Sequence, residues 1–199
     1  SAGNVYVTGY VTGSLSQPDP LGVSVPFFAK YDSAGVLQWV QQFDSSAGAD
    51  YQGGKIATDD FGNVFLVTGH GGANTAPVNP PTTVSDYDAA GNLLWSTPLP
   101  LSETGAGVAA DNLGYVYNAT FDDTTQSPDG FEYINLRKFD ARDGSIVWTQ
   151  RLHVGGYPNN TSTVTVDGLG HVYVAAYTSG SLIGPNAGGT DAVVAQYTL

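Results

Sequence analysis

The chain repeats itself, and that repeat limits its possible folds more than any other feature. Gly3-Asn4-Val5-Tyr6-Val7 recurs as Gly62-Asn63-Val64-Phe65-Leu66, as Gly114-Tyr115-Val116-Tyr117 and as Gly170-His171-Val172-Tyr173-Val174, at glycine intervals of 59, 52 and 56 residues. A second motif keeps step. Lys30-Tyr31-Asp32-Ser33-Ala34-Gly35 leads to Trp39, Asp86-Tyr87-Asp88-Ala89-Ala90-Gly91 to Trp95, and Lys138-Phe139-Asp140-Ala141-Arg142-Asp143-Gly144 to Trp148. All three tryptophans of the chain occupy this slot. A third motif precedes each internal Gly-x-Val copy: Ile56–Asp60, Val108–Asn112 and Val164–Gly168.

Each unit therefore holds four short β-rich runs separated by turn residues. In order they are the Ile56 type (A), the Val64 type (B), the Tyr87 type (C) and the Trp95 type (D). Four antiparallel strands in a unit of this length describe a propeller blade. The sequence thus predicts an all-β, single-domain β-propeller of about four repeats, with approximate bounds 1–54, 55–106, 107–162 and 163–199. The chain opens inside an A–B turn and stops after a C run, so the first and last blades are expected to be incomplete, lacking an A and a D strand. Closure alone, closure through a neighbouring copy, and excision from a longer propeller all fit that reading. The absence of methionine points to a processed product or an excised segment.

The A–B and C–D connections are short, with Asp and Gly at fixed offsets. Asp accepts hydrogen bonds from turn amides, and Gly supplies the positive φ of a tight hairpin. Asp32, Asp88 and Asp140 are accordingly read as turn residues, and Trp39, Trp95 and Trp148 as packing against the neighbouring blade. The B–C segments (Tyr10–Pro26, His70–Thr82, Phe121–Glu132, Tyr177–Asp191) and D–A segments (Asp44–Gly54, Pro100–Gly105, His153–Ser162) are longer and irregular. In an up-and-down blade they share one face, where loops on a rigid scaffold would carry any binding.

Chemistry is scarce. With 18 acidic and 6 basic side chains the net charge is -12, which repels phosphate backbones and anionic lipid. Nucleic acid and membrane insertion are therefore not expected, and no apolar run reaches transmembrane length. No cysteine is available for a disulfide, a thiolate site or a nucleophile. His70, His153 and His171 show no metal-ligand spacing, His171 being expected to stand exposed on a hairpin, and neither a Gly-x-Ser-x-Gly elbow nor a phosphate loop occurs. No catalytic residue is assigned.

Two candidate sites remain. Tyr10, His70, Phe121 and Tyr177 end successive B strands, and Tyr51 and Tyr157 lie on D–A loops. Flat rings beside Asn and Asp suit sugar stacking, the alternative being that they cap the packing. Asp122, Asp123 and Asp129 share a loop that could fold around calcium, against the alternative of a solvated loop. No other cofactor is expected. Asn118, Asn159 and Asn160 fit the glycosylation pattern.

At Gly3–Tyr10, Phe27–Trp39 and Gly170–Tyr197 the chain resembles the bacterial SBBP β-propeller repeat family. The second and third units match more loosely, with His70 in place of the strand-ending Tyr and Asn118-Ala119-Thr120 in place of Val-Thr-Gly. The resemblance implies a propeller and an extracellular or cell-surface setting, and carries no catalytic residue. The D strand is also similar to that of pyrroloquinoline-quinone propellers, where it is structural, so that cofactor is not implied. The expectation is a non-enzymatic scaffold or interaction module acting through copies of itself or other surface proteins. A carbohydrate-binding propeller and a fragment of a larger propeller enzyme are the alternatives.

Overall fold

The computed structural model describes residues 3–16, 24–43, 51–70, 81–100, 103–122, 133–153, 163–178 and 188–198. These form fourteen strands in four antiparallel sheets. The first sheet is β1 (Val5–Thr12), β2 (Ser24–Tyr31) and β3 (Leu37–Gln42). The second is β4 (Tyr51–Thr58), β5 (Val64–His70), β6 (Thr83–Tyr87) and β7 (Leu93–Pro98). The third is β8 (Glu103–Ala110), β9 (Tyr115–Asp122), β10 (Tyr133–Asp140) and β11 (Ile146–His153). The fourth is β12 (Thr163–Val166), β13 (His171–Thr178) and β14 (Asp191–Thr198). Strands within each sheet follow chain order, as a meander requires.

The turns explain why the chain folds back at these points. Asp32 Oδ1 accepts the amides of Ala34 and Val36, and Asp88 Oδ1 those of Ala90 and Asn92. Asp59, Asp111 and Asp167 do the same for the residues two and four positions on. In each turn the Asp amide donates to the carbonyl four residues later, and a glycine with φ between 77° and 94° stands three residues on. Asp140 adopts the version with one residue inserted: its amide reaches Ser145, and Gly144 carries φ 71°. One acidic side chain thus organises each hairpin.

A β-bulge recurs where C meets D, between Lys30 and Tyr31, Asp86 and Tyr87, and Lys138 and Phe139. It leaves Lys30 opposite Trp39, Asp86 opposite Trp95 and Lys138 opposite Trp148. A bulge re-aims the side chain beside it. Here that side chain is the indole.

Successive sheets pack face to face. Phe28 of β2 meets Val64, Leu66 and Tyr87 of the second sheet, with Tyr6, Trp39, Phe43 and Ile56 around them. Phe65, Val67 and Val84 meet Val108, Val116 and Phe139 of the third. Tyr117, Ile134 and Leu136 meet Val164, Val172 and Val174 of the fourth. The first strands crowd together, β4 against β1, β8 against β4 and β12 against β8. Gly107 permits the last approach, because a Cβ there would lie 2.6 Å from the Val164 amide nitrogen.

Several strands run further than the sequence suggests. Tyr51 lies in β4, Glu103 opens β8 and His153 closes β11, although the sequence pattern places all three in connections. β1 continues past Tyr10 to Thr12, and β2 begins at Ser24. Glycines and polar residues at these ends hide the ladder pairing that holds them.

Candidate functional site

Among the described residues, two of the three tryptophans make a hydrogen bond to the following sheet. Trp39 Nε1 donates to the Ala89 carbonyl of the next sheet at 3.2 Å, and Trp95 Nε1 to the Ala141 carbonyl at 2.8 Å. Lys30 Nζ shares the Ala89 carbonyl at 2.8 Å. Two residues beyond each indole a second donor follows, Gln41 to the Gly91 carbonyl and Thr97 to the Gly144 carbonyl. Trp148 packs beside Tyr117 in the third cluster, with ring centroids 6.3 Å apart. These residues belong to the joint between sheets. Asp32, Asp88 and Asp140 are engaged in their turns, and the carboxyls of Asp88 and Asp140 are held low, first by Asn92 and Arg142 respectively. For Asp140 the value is about 2.

The aromatic candidates are placed unequally. Tyr10 stands 64% exposed, opposite Pro26. Phe121 is half-buried against the cluster between the third and fourth sheets. Tyr177 is half-buried opposite Ala192. Tyr10, Phe121 and Tyr177 share one register slot, seven residues after Gly3, Gly114 and Gly170, whereas His70 falls one position further along its strand. Tyr51 pairs with His70 across β4 and β5. Tyr157 lies outside the described residues, as do Asp123 and Asp129.

Asp122, the remaining member of the calcium candidate, sits opposite Tyr133 and lies 3.6 Å from Arg151. The Arg151 guanidinium lies over the Tyr133 ring at 3.9 Å, and Tyr133 is 5.5 Å from the His153 ring. Asp122 Oδ1 is buried without a hydrogen-bond partner. Among the described residues no group of three or more His, Asp or Glu side chains gathers as metal ligands would.

Two polar features escaped the sequence reading. Glu103 and Arg137 form a buried two-pronged ion pair across the third sheet, with Oε1–Nη2 and Oε2–Nη1 both 2.5 Å. Thr120, on the strand between them, donates to Glu103 and accepts from Arg137. Such a pair is fully satisfied and pins β8, β9 and β10 together. Its signal was a charged residue inside a β-run of a chain poor in charge. The other is Asp86, 1% exposed in the slot that Lys30 and Lys138 fill elsewhere. Burial, then the charge of Asp59, pushes its carboxyl up to about 7.

His171 is also a correction: its side chain is 29% exposed, and Nδ1 meets Asp167 Oδ2 at 2.7 Å, so it closes its turn. Asn118 is fully buried, and its Nδ2 donates to the Gly107 carbonyl, which leaves no room for a glycan there.

Exposed apolar side chains occur on all four sheets, Leu37 of β3, Leu93 and Leu94 of β7 and Ile146 and Val147 of β11 among them. Val5 and Val7 of the first sheet are 52% and 40% exposed, and Val194 of the fourth is 65% exposed.

No family model matches the chain, and no curated protein matches it. Among solved structures it is similar to a protein of unknown function from Bacteroides caccae, with TM-score 0.38 and 11% identity over 84% of this chain. It spans 64% of that protein, less than two thirds of its length. It is also similar to a luciferin-regenerating enzyme, with TM-score 0.31 and 13% identity, over 88% of this chain and 80% of that one.

Proposed function

We propose that this chain is a propeller-type, non-enzymatic interaction module of an extracellular or cell-surface setting, and that it works by self-association. The observation that carries this reading is the exposure of Val5, Val7 and Val194 on the first and last sheets. Three joints between sheets already bury such side chains, and exposed apolar faces of this kind mark interaction surfaces. Support for a propeller comes from four meandering sheets packed in chain order with their first strands together. The low charged fraction and the SBBP resemblance support the setting. Size-exclusion chromatography with light scattering at several concentrations tests the reading. A mass rising above 20.7 kDa with concentration is expected; 20.7 kDa throughout would overturn it.

A second reading, carbohydrate binding, is favoured by the cluster of Asp122, Tyr133, Arg151 and His153 at one end of the third sheet. An aromatic ring with polar side chains around it suits a sugar. A glycan array with and without calcium tests it; silence in both conditions removes it.

A further inference from the structure

We infer that the face of the fourth sheet bearing Val194 docks on the face of the first sheet bearing Val5 and Tyr31 in a second copy of this chain, head to tail. The inference rests on the self-association reading above and names its geometry.

The repeat supplies a template for the joint. In the Val5 slot, Val64, Val116 and Val172 are each 0% exposed because the preceding sheet covers them, whereas Val5 is 52% exposed. In the slot of Val194, Phe28, Val84 and Leu136 are each 0% exposed because the following sheet covers them. Within the chain these slots always meet the same partner. Phe28 packs on Tyr87 with centroids 4.6 Å apart, Val84 shares a cluster with Phe139, and Leu136 shares one with Tyr197. Tyr31 is the residue of that slot in the first sheet, and Val194 is the residue that would meet it.

Val5 and Val194 therefore mark one face of each kind, the first exposed at Val5 and Val7 although Val25 and Ala29 on it are buried, and three internal joints show that the kinds fit. Gln196 adds a polar contact. It holds the slot of Lys30, which donates to the Ala89 carbonyl, and the equivalent carbonyl in the first sheet is that of Ser33. Different surfaces meet, so association is heterologous and adds copies in a row. A face of three strands, the longest of eight residues, measures at most roughly 14 by 26 Å. That is below the usual size of a stable interface, so the association is weak and strongly concentration-dependent.

The chain has no cysteine, so introduced thiols report a single contact. Val194→Cys protein is mixed with Tyr31→Cys protein under mild oxidation, with Leu169→Cys (83% exposed, on a turn) replacing Tyr31→Cys as the control. The geometry predicts a covalent dimer forming at least about ten times faster than in the control mixture. The Val194→Cys/Tyr31→Cys double variant should give a ladder of dimer, trimer and longer species. Val5→Arg placed in the Tyr31→Cys protein should abolish the dimer. Equal cross-linking with the control overturns the inference, as does a double variant that only closes within one chain. Light scattering separates the two failures. Oligomers without this cross-link leave the self-association reading standing, and a strict monomer removes both.

Discussion

The indole of Trp95 lies directly against Gly144 of the following sheet, so close that a Cβ on Gly144 would sit 2.6 Å from the Trp95 Cδ2. The glycine also holds φ 71°. One residue therefore answers two demands, a left-handed turn and a flat surface for the indole.

Gly144→Ala must strain the turn and push the indole away. We expect a loss of about 2 kcal/mol or more in urea unfolding. Gly168 has open space around its Cβ position and no positive φ, so Gly168→Ala should change stability by roughly 0.5 kcal/mol at most.

The turn aspartates make equivalent hydrogen bonds in different surroundings. Those of Asp59 and Asp111 are partly or fully buried, whereas those of Asp32 and Asp88 face water. Water replaces an exposed partner but not a buried one. Asp59→Ala and Asp111→Ala should each cost about 2 kcal/mol, and Asp32→Ala and Asp88→Ala less than about 1 kcal/mol. Equal losses across the four would show that burial does not decide.

Asp86 makes stability depend on pH in an unusual direction. Its folded carboxyl titrates near 7, above the ordinary 3.8, so unfolding releases a proton between these values. Its contribution is therefore fully present below about 3.8 and is lost as pH rises towards 7. Asp86→Asn removes the ionisation, and should stabilise the protein at pH 8 by on the order of 1–3 kcal/mol while changing little at pH 4. Thermal melts at the two pH values check the sign.

The Glu103–Arg137 pair is a buried charge pair, so losing one partner strands the other. Arg137→Met should cost about 3–5 kcal/mol. Adding Glu103→Leu should recover most of that loss, because no buried charge remains. A double variant no better than the single one would mean that Thr120 and its neighbours need the ions for another reason.

Local chemistry was legible in the sequence and distant pairing was not. The hairpins at Asp32, Asp88 and Asp140 could be read because the acid, the glycine and the turn lie within five residues. The indole slot could be read because Trp39, Trp95 and Trp148 keep one offset from those turns. The third-sheet ion pair was hidden, since Glu103 and Arg137 are 34 positions apart and meet only across β9. Strand ends at Tyr51 and His153 were hidden too, because their pairing to His70 and Tyr133 leaves no mark in composition. Of the candidate site residues, Phe121 lay on a strand whose inward face could not be told until its partner sheet was known.

Trp39 and Trp95 each tie their sheet to the next. Nuclear Overhauser contacts from the indole N–H protons test this most directly in solution. Cross-peaks are expected from Trp39 to residues 89–91 and from Trp95 to residues 141–144. Indole protons that see only their own strand and its hairpin partner would contradict it.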